Sequence, residues 1–117
     1  MPHFVIDCSQ GILLKNEPSE IIEKVYATAL ETGLFSSEGT GGIKVRIQAY
    51  EHYTTVNSQD DFVHVFANIM EGRTAEQKKI LSKQIVGALK TMLPQVPIIS
   101  MNVQEFERES YCNKSMV

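Results

Sequence analysis

The chain has 117 residues, of which 43% are hydrophobic and 21% charged, and its formal net charge is −3. That length suits one domain with a buried core, so we predict a single domain over 1–117. The charge balance argues against a nucleic-acid binder, which would show a basic stripe. No apolar run approaches the roughly 20 residues that span a bilayer, and no signal peptide is evident. We therefore predict a cytoplasmic protein without nucleic-acid or membrane partners.

The first half, 2–56, reads as strand, helix and strand. Residues 2–8 form a run typical of a strand, and a turn-rich stretch is expected up to Asn16. Pro18 suits the first turn of a helix and Gly33 its end. Between them, apolar residues recur at helical spacing; they are Ile21, Ile22, Val25, Ala29 and Leu30. A loop is expected over 36–42, and residues 43–49 then alternate between apolar and polar, as in a strand.

The second half, 61–106, repeats this order. Residues 62–70 predict a strand, and Thr74 with Gln77 forms the sequence pattern of a helix capping box. The helix should end at Pro94, with a last strand over 97–106 and a polar tail beyond. Its predicted buried face consists of Ile80, Leu81, Ile85, Ala88, Leu89 and Met92.

Two strand–helix–strand units with a link between them predict an α+β fold, a two-layer sandwich. Each unit should pair its two strands in parallel, and an antiparallel pair should join the units. With both helices on one face, the result is a four-stranded mixed sheet with a second face left open. Because the strand over 62–70 is apolar on both sides, we expect other subunits to cover that face.

Pro2 is the first candidate for chemistry. An aminopeptidase removes Met1 before small residues, so Pro2 should become a free secondary amine. An α-amino group titrates near ~7.7–8.0, and burial or nearby cations lower its pKa. Such an amine is a base near neutral pH.

Three cations are candidates for binding an anion. Arg73 stands at a helix start, where its charge adds to the positive end of the helix dipole and is favourable when an anion docks there. Arg46 lies on the polar side of the strand over 43–49, and Lys44 points the same way. Together these residues predict a cationic patch.

The remaining reactive side chains predict no metal site and no cofactor. Cys8 and Cys112 lack metal-ligand spacing, and Cys8 should be a buried thiol. The three histidines stand singly, and His64 should be a satisfied core or interface residue.

The run 71–78 resembles the helix opening of the 4-oxalocrotonate tautomerase family, and Val45-Arg46-Ile47 resembles that family's second strand. The Pro-His-Phe start and the two halves resemble the 5-carboxymethyl-2-hydroxymuconate isomerase family, up to about Phe106. The resemblance implies a homotrimer that isomerises a small dicarboxylate dienol. It implies Pro2, Arg73 and Arg46 as catalytic residues and Lys44 as a substrate-binding residue. Lys44 stands where those isomerases carry arginine.

In the short relatives, the arginine follows the terminal proline by ten positions. Counting ten back from Arg73 reaches Val63, and counting ten forward from Pro2 reaches Ile12. Each half therefore supplies what the other lacks, and one chain should build one kind of complete site.

Two alternatives stay open. The same scaffold could hydrate, dehalogenate or decarboxylate a short unsaturated acid, with Asp7 or Glu51 activating water. It could also be a non-catalytic oligomeric module that binds a ligand.

Overall fold

The computed structural model describes residues 1–36 and 42–117. The strands are β1 (His3–Ser9), β2 (Lys44–Tyr50), β3 (Phe62–Met70) and β4 (Ile98–Phe106). The helices are α1 (Gln10–Lys15), α2 (Pro18–Glu31) and α3 (Ala75–Met92), and a short 3₁₀ helix spans Lys114–Met116. The loop predicted over 36–42 lies, apart from its two end residues, outside the described residues.

The four strands form one mixed sheet in the order β2-β1-β3-β4. The outer pairs, β1 with β2 and β3 with β4, are parallel, and the central pair, β1 with β3, is antiparallel. The predicted α+β architecture, with two parallel units joined by an antiparallel pair, is therefore confirmed.

The sheet has one covered face and one open face. Alternate residues of the two central strands are buried and share one hydrophobic core with the helices; they are Phe4, Ile6, Cys8, Val63, Val65, Ala67 and Ile69. The residues between them are only half-buried. Because side chains alternate across a strand, the helices lie on one face and leave the other uncovered. His64 lies on the open face, where its ring nitrogens bond to Ser100 Oγ at 2.6 Å and Asn102 Oδ1 at 2.7 Å.

Local sequence signals explain both long helices. Pro18 occupies the first turn of α2, where a missing N–H costs nothing, and Gly33 follows the helix with φ +74°. The capping box of α3 is complete. The Gln77 N–H donates to the Thr74 hydroxyl at 3.1 Å, and the Thr74 N–H donates to the Gln77 side chain at 2.9 Å.

The structure corrects two predictions. The stretch expected to be turn-rich contains the short helix α1, in addition to the two long helices that were predicted. Ile12 is buried at 2% exposure, and the backbone N–H of Asn16 donates to its carbonyl at 3.0 Å. Tertiary burial thus stabilises a segment too short to form a helix alone. Ile80, predicted to lie on the buried face of α3, is 41% exposed.

Residues 1–36 and 42–117 contain neither a membrane-spanning helix nor a cluster of metal-ligating side chains. In those ranges, no helix is long and apolar enough to cross a membrane. No group of three or more His, Cys, Asp or Glu side chains there could hold a metal ion.

Two isoleucines of α3 provide a matched test of the core. Ile85 is fully buried, so Ile85→Ala should lower the free energy of unfolding by about 2–5 kcal/mol through lost burial and a cavity. Ile80→Ala removes the same atoms from an exposed position and should cost less than about 1 kcal/mol. Chemical denaturation of both variants measures the difference, and equal losses would contradict the packing described.

Candidate active site

Four strand ends meet at one edge of the sheet. Since β1 and β2 are parallel and β3 runs against β1, the starts of β1 and β2 lie beside the ends of β3 and β4. The backbone continues this pairing past the strands. The Lys44 N–H donates to the Pro2 carbonyl at 3.0 Å, and the Glu71 N–H donates to the Phe106 carbonyl at 3.2 Å. Residues far apart in sequence are thereby brought to one place.

A cavity of about 260 Å³ opens at this edge. Its lining residues are Met1, Pro2, Phe35, Ser36, Met70, Arg73 and Arg108. Pro2 is buried. Of the four site residues predicted from sequence, Pro2 and Arg73 therefore lie together in one cavity.

Arg73 is held firmly beside Pro2. Its Nη1 donates to the Met70 carbonyl at 3.2 Å and its Nη2 to the Leu34 carbonyl at 2.8 Å. The guanidinium carbon lies 4.8 Å from the centre of the Phe35 ring, a cation–π distance. A guanidinium has five N–H donors, so these bonds to backbone leave others for a ligand. Arg73 is thus an oriented cation with spare donors.

Lys44 lies next to the chain terminus. The Met1 amine donates to the Gly42 carbonyl at 3.4 Å, and Lys44 Nζ donates to the same oxygen at 2.7 Å. Burial lowers the pKa of the Met1 amine, and the positive charges of Lys44 and Arg73 lower it further. A terminal amine at this place therefore binds a proton less tightly than an exposed amine does, and it is unprotonated at a lower pH.

Arg46 is separated from this cavity within one chain. It lies exposed on the open face of the sheet, and its Nη1 donates to His3 Nδ1 at 3.1 Å. Burial lowers the pKa of His3, with smaller contributions from Arg46, Lys44 and the terminal amine. Because a guanidinium only donates, Nδ1 is the acceptor in this bond. The structure brings Lys44 close to Pro2 but does not bring Arg46 there.

Arg108 is a site residue that sequence reasoning missed. It lies in the segment interpreted as a weakly patterned tail, two residues beyond the end of β4. The signal was in the strand register. Met70 pairs with Phe106 at the end of this parallel pair, and two residues beyond each of them a Cβ atom on Gly72 would lie 3.8 Å from Arg108 Nη2. A residue following β4 must therefore lie beside the residues that precede α3.

Comparison with known proteins identifies the chain as an isomerase. The model of the 5-carboxymethyl-2-hydroxymuconate isomerase family matches residues 2–117, and the chain belongs to that family. A 5-carboxymethyl-2-hydroxymuconate Delta-isomerase of Escherichia coli is 28% identical over 93 residues, which cover 78% of this chain and 71% of the relative.

Solved structures agree on the fold. A 5-carboxymethyl-2-hydroxymuconate isomerase from Deinococcus radiodurans R1 has a TM-score of 0.78 at 24% identity, covering 97% of this chain and 88% of that one. A protein described as the W0 fused 4-OT wild type symmetric trimer has a TM-score of 0.74 at 12% identity, covering 98% of this chain and 95% of that one. The resemblance predicted from sequence is confirmed.

The electrostatics of the edge can be tested without an assay of activity. Lys44→Gln removes a positive charge that disfavours the protonated amine, so the pKa of the Met1 amine should rise. The rate at which an acylating reagent labels that amine, followed by mass spectrometry of the N-terminal peptide at a series of pH values, reports this pKa. Lys15→Gln removes a charge at the opposite end of the sheet and is the control. An equal effect of both variants would contradict the proximity of Lys44.

Proposed function

We propose that the protein ketonises a dienol of the 2-hydroxymuconate type, either the dicarboxylate 2-hydroxymuconate or the tricarboxylate 5-carboxymethyl-2-hydroxymuconate, with Pro2 as acid and base. The observation that carries this proposal is the burial of Pro2 in a small cavity beside an oriented arginine, Arg73. The reaction moves a proton within one substrate and uses no cofactor or metal. The cytoplasmic location predicted from the sequence is part of the same proposal.

The proposed proton transfer is balanced within the substrate. Once Met1 is removed, the Pro2 nitrogen is a secondary amine that accepts the proton of the 2-hydroxyl group. The electrons of the O–H bond then form the 2-oxo group, and the conjugated double bonds shift along the chain. Pro2 returns the proton to a carbon further along, which yields an α,β-unsaturated 2-oxo acid. Behind an intact Met1, the Pro2 nitrogen is a tertiary amide without usable basicity.

The cations would have two roles in this reaction. Arg73 has donors left for a carboxylate or for the 2-oxo oxygen, on which negative charge develops. Lys44 would assist with another carboxylate. Both charges also lower the pKa of an amine at this place, which keeps it unprotonated near neutral pH. The same side chains thus favour binding of the anion and the basic form of Pro2.

A homotrimer is the assembly we propose. The open face of the sheet is half-buried along β3 and carries both Val5 and Phe66, which a second layer would cover. Arg46 lies on that face. Association through it would allow Arg46 of one subunit to approach the cavity of the next, as the proposed catalytic role of Arg46 requires. A protein with this fold is described as a symmetric trimer, which supports the same arrangement.

The alternative of water-dependent chemistry has weaker support. The carboxylate of Asp7 accepts a hydrogen bond from the Tyr50 hydroxyl at 3.3 Å, and Asp7 pairs with residues in the middle of the sheet. Glu51 follows the end of β2, at the edge opposite the cavity. Neither carboxylate lines the cavity that contains Pro2. The chain's family favours the isomerase over a hydratase or a ligand-binding module.

The role of Pro2 predicts that only processed protein is active. Protein carrying Met1 should turn over 2-hydroxymuconate at background rate, and treating the same sample with methionine aminopeptidase should restore activity in proportion to the Pro2 terminus formed. Intact mass gives the fraction processed, and ultraviolet absorbance follows the dienol. As a control, protein that already begins at Pro2 should not change. Equal rates before and after removal would rule out Pro2 as the base.

The arginines predict a site that two subunits share. Arg73→Ala and Arg46→Ala should each lower kcat/KM by roughly 10²-fold, because each removes a charge-assisted contact from a dry site. Light scattering should give a mass three times that of the 13.1 kDa chain. Trimers assembled from equal amounts of the two variants should regain about a quarter of wild-type activity, since neighbouring intact arginines then complete some sites.

Two results would contradict this arrangement. A stable monomer with full activity would remove the need for Arg46 from a neighbour. Mixed trimers as inactive as either variant would place both arginines of a site on one chain. Lys15→Gln, far from the cavity, should keep wild-type activity throughout.

A further inference from the structure

A second arginine enters the cavity from β4. Arg108 lines the same cavity as Pro2 and Arg73, although it follows the last strand and lies 35 positions after Arg73 in the sequence. Its position depends on the backbone of the neighbouring segment. The Arg108 N–H donates to the carboxylate of Glu71, and its Nη2 donates to the Glu71 carbonyl at 3.1 Å.

Gly72 makes room for this arginine. Gly72 has φ +119°, a backbone conformation that residues with side chains rarely adopt. A Cβ atom built on Gly72 would lie 3.8 Å from Arg108 Nη2. The Arg108 guanidinium therefore lies beside Gly72, a residue that has no side chain to obstruct it. One of its five N–H donors is used by Glu71, and the others are available to a ligand.

The charges of the cavity are unbalanced. Among residues 1–36 and 42–117, no carboxylate lies within 4.0 Å of the guanidinium of Arg73 or Arg108. The ion pair found in those ranges joins Lys78 on α3 to Glu105 on β4, outside the cavity lining. The two arginines that line this cavity of about 260 Å³ repel each other. This local excess of positive charge contrasts with the net charge of −3 of the whole chain. A ligand with one negative group for each arginine balances both charges, whereas a single carboxylate leaves one positive charge in excess.

We propose that Arg108 is the specificity residue of the site, which binds the second carboxylate of the substrate while Arg73 binds the end that reacts at Pro2. Two arginines that line one cavity from different chain segments suit an acid with carboxylates at separate positions. This inference rests on the proposed function and adds to it the residue that distinguishes dicarboxylates from monocarboxylates.

The test compares two substrates that differ by one carboxylate. They are 2-hydroxymuconate and 2-hydroxypenta-2,4-dienoate, which is the same dienol without the distal carboxylate. Arg108→Gln should lower kcat/KM for the dicarboxylate by roughly 10- to 100-fold, mainly through KM, the size expected for one charge-assisted contact. Its kcat/KM for the monocarboxylate should change by less than about threefold. Arg108→Lys should recover part of the preference, because it keeps the charge but loses the planar fork.

Control variants separate specificity from folding and from overall charge. Lys79→Gln removes one positive charge from the exposed surface of α3 and should leave both substrates unchanged. Thermal unfolding of Arg108→Gln should match that of the wild type. Equal losses on both substrates, or no loss on either, would overturn the role of Arg108 while leaving the proposed reaction intact. A wild-type enzyme that converts neither dienol would instead overturn the proposed function and this inference with it.

Discussion

The antiparallel pairing of β1 with β3 is the constraint on which the site depends. His3 pairs with Asn68, so the residues just before β1 lie opposite those just after the end of β3. If β1 and β3 were parallel, Pro2 and Arg73 would lie at opposite edges of the sheet. The two parallel outer pairs then add the start of β2 and the end of β4 to the same edge. Four chain segments thus meet at this edge, and those that carry Pro2, Arg73 and Arg108 line the cavity.

The side chains of the three cations at this edge, Arg73, Lys44 and Arg108, bond to neutral groups. Arg73 bonds to two backbone carbonyls and lies over Phe35, Lys44 bonds to the Gly42 carbonyl, and Arg108 bonds to the Glu71 carbonyl. Carbonyl dipoles orient the cations without neutralising them. A carboxylate partner would hold an arginine equally well but would cancel its attraction for an anionic ligand. The choice of partners therefore preserves the charge that the proposed substrate needs.

The parts of the fold predicted correctly from sequence are those with strong local signals. The capping box of Thr74 and Gln77, the helix stop at Gly33 and the apolar alternation of β3 each act within a few residues. The helix α1 was missed because six residues containing Gly11 have weak helix propensity, and the burial of Ile12 supplies the stability. That burial depends on contacts across the molecule, which a local pattern does not contain.

The site residues also separate into those with a local sequence signal and those that depend on tertiary structure. Pro2 and Arg73 were proposed from the sequence as a free amine and an arginine at a helix start, and the structure brings both to one cavity. Arg108 was not, since it lies in a polar tail and becomes significant only through the register that pairs β4 with β3. Arg46 was predicted from resemblance, yet within one chain it bonds to His3 on the open face. Its proposed role consequently depends on assembly, which the single chain does not contain.

The opposite edge of the sheet shows why one chain should build one such site. There the geometry repeats: Asp61 directly precedes β3 as Pro2 precedes β1, and Ile12 is the third residue after β1 as Arg73 is the third after β3. A larger cavity, of about 410 Å³, lies at this edge. The Asp61 carboxylate accepts a hydrogen bond from the Ser9 hydroxyl at 2.7 Å. Lys15 also lines this cavity, but an internal carboxylate and a buried isoleucine occupy the positions of Pro2 and Arg73, so the larger cavity lacks the terminal amine and the arginine of the proposed site. The function therefore follows from which residues occupy equivalent positions, and not from the size of the cavity they surround.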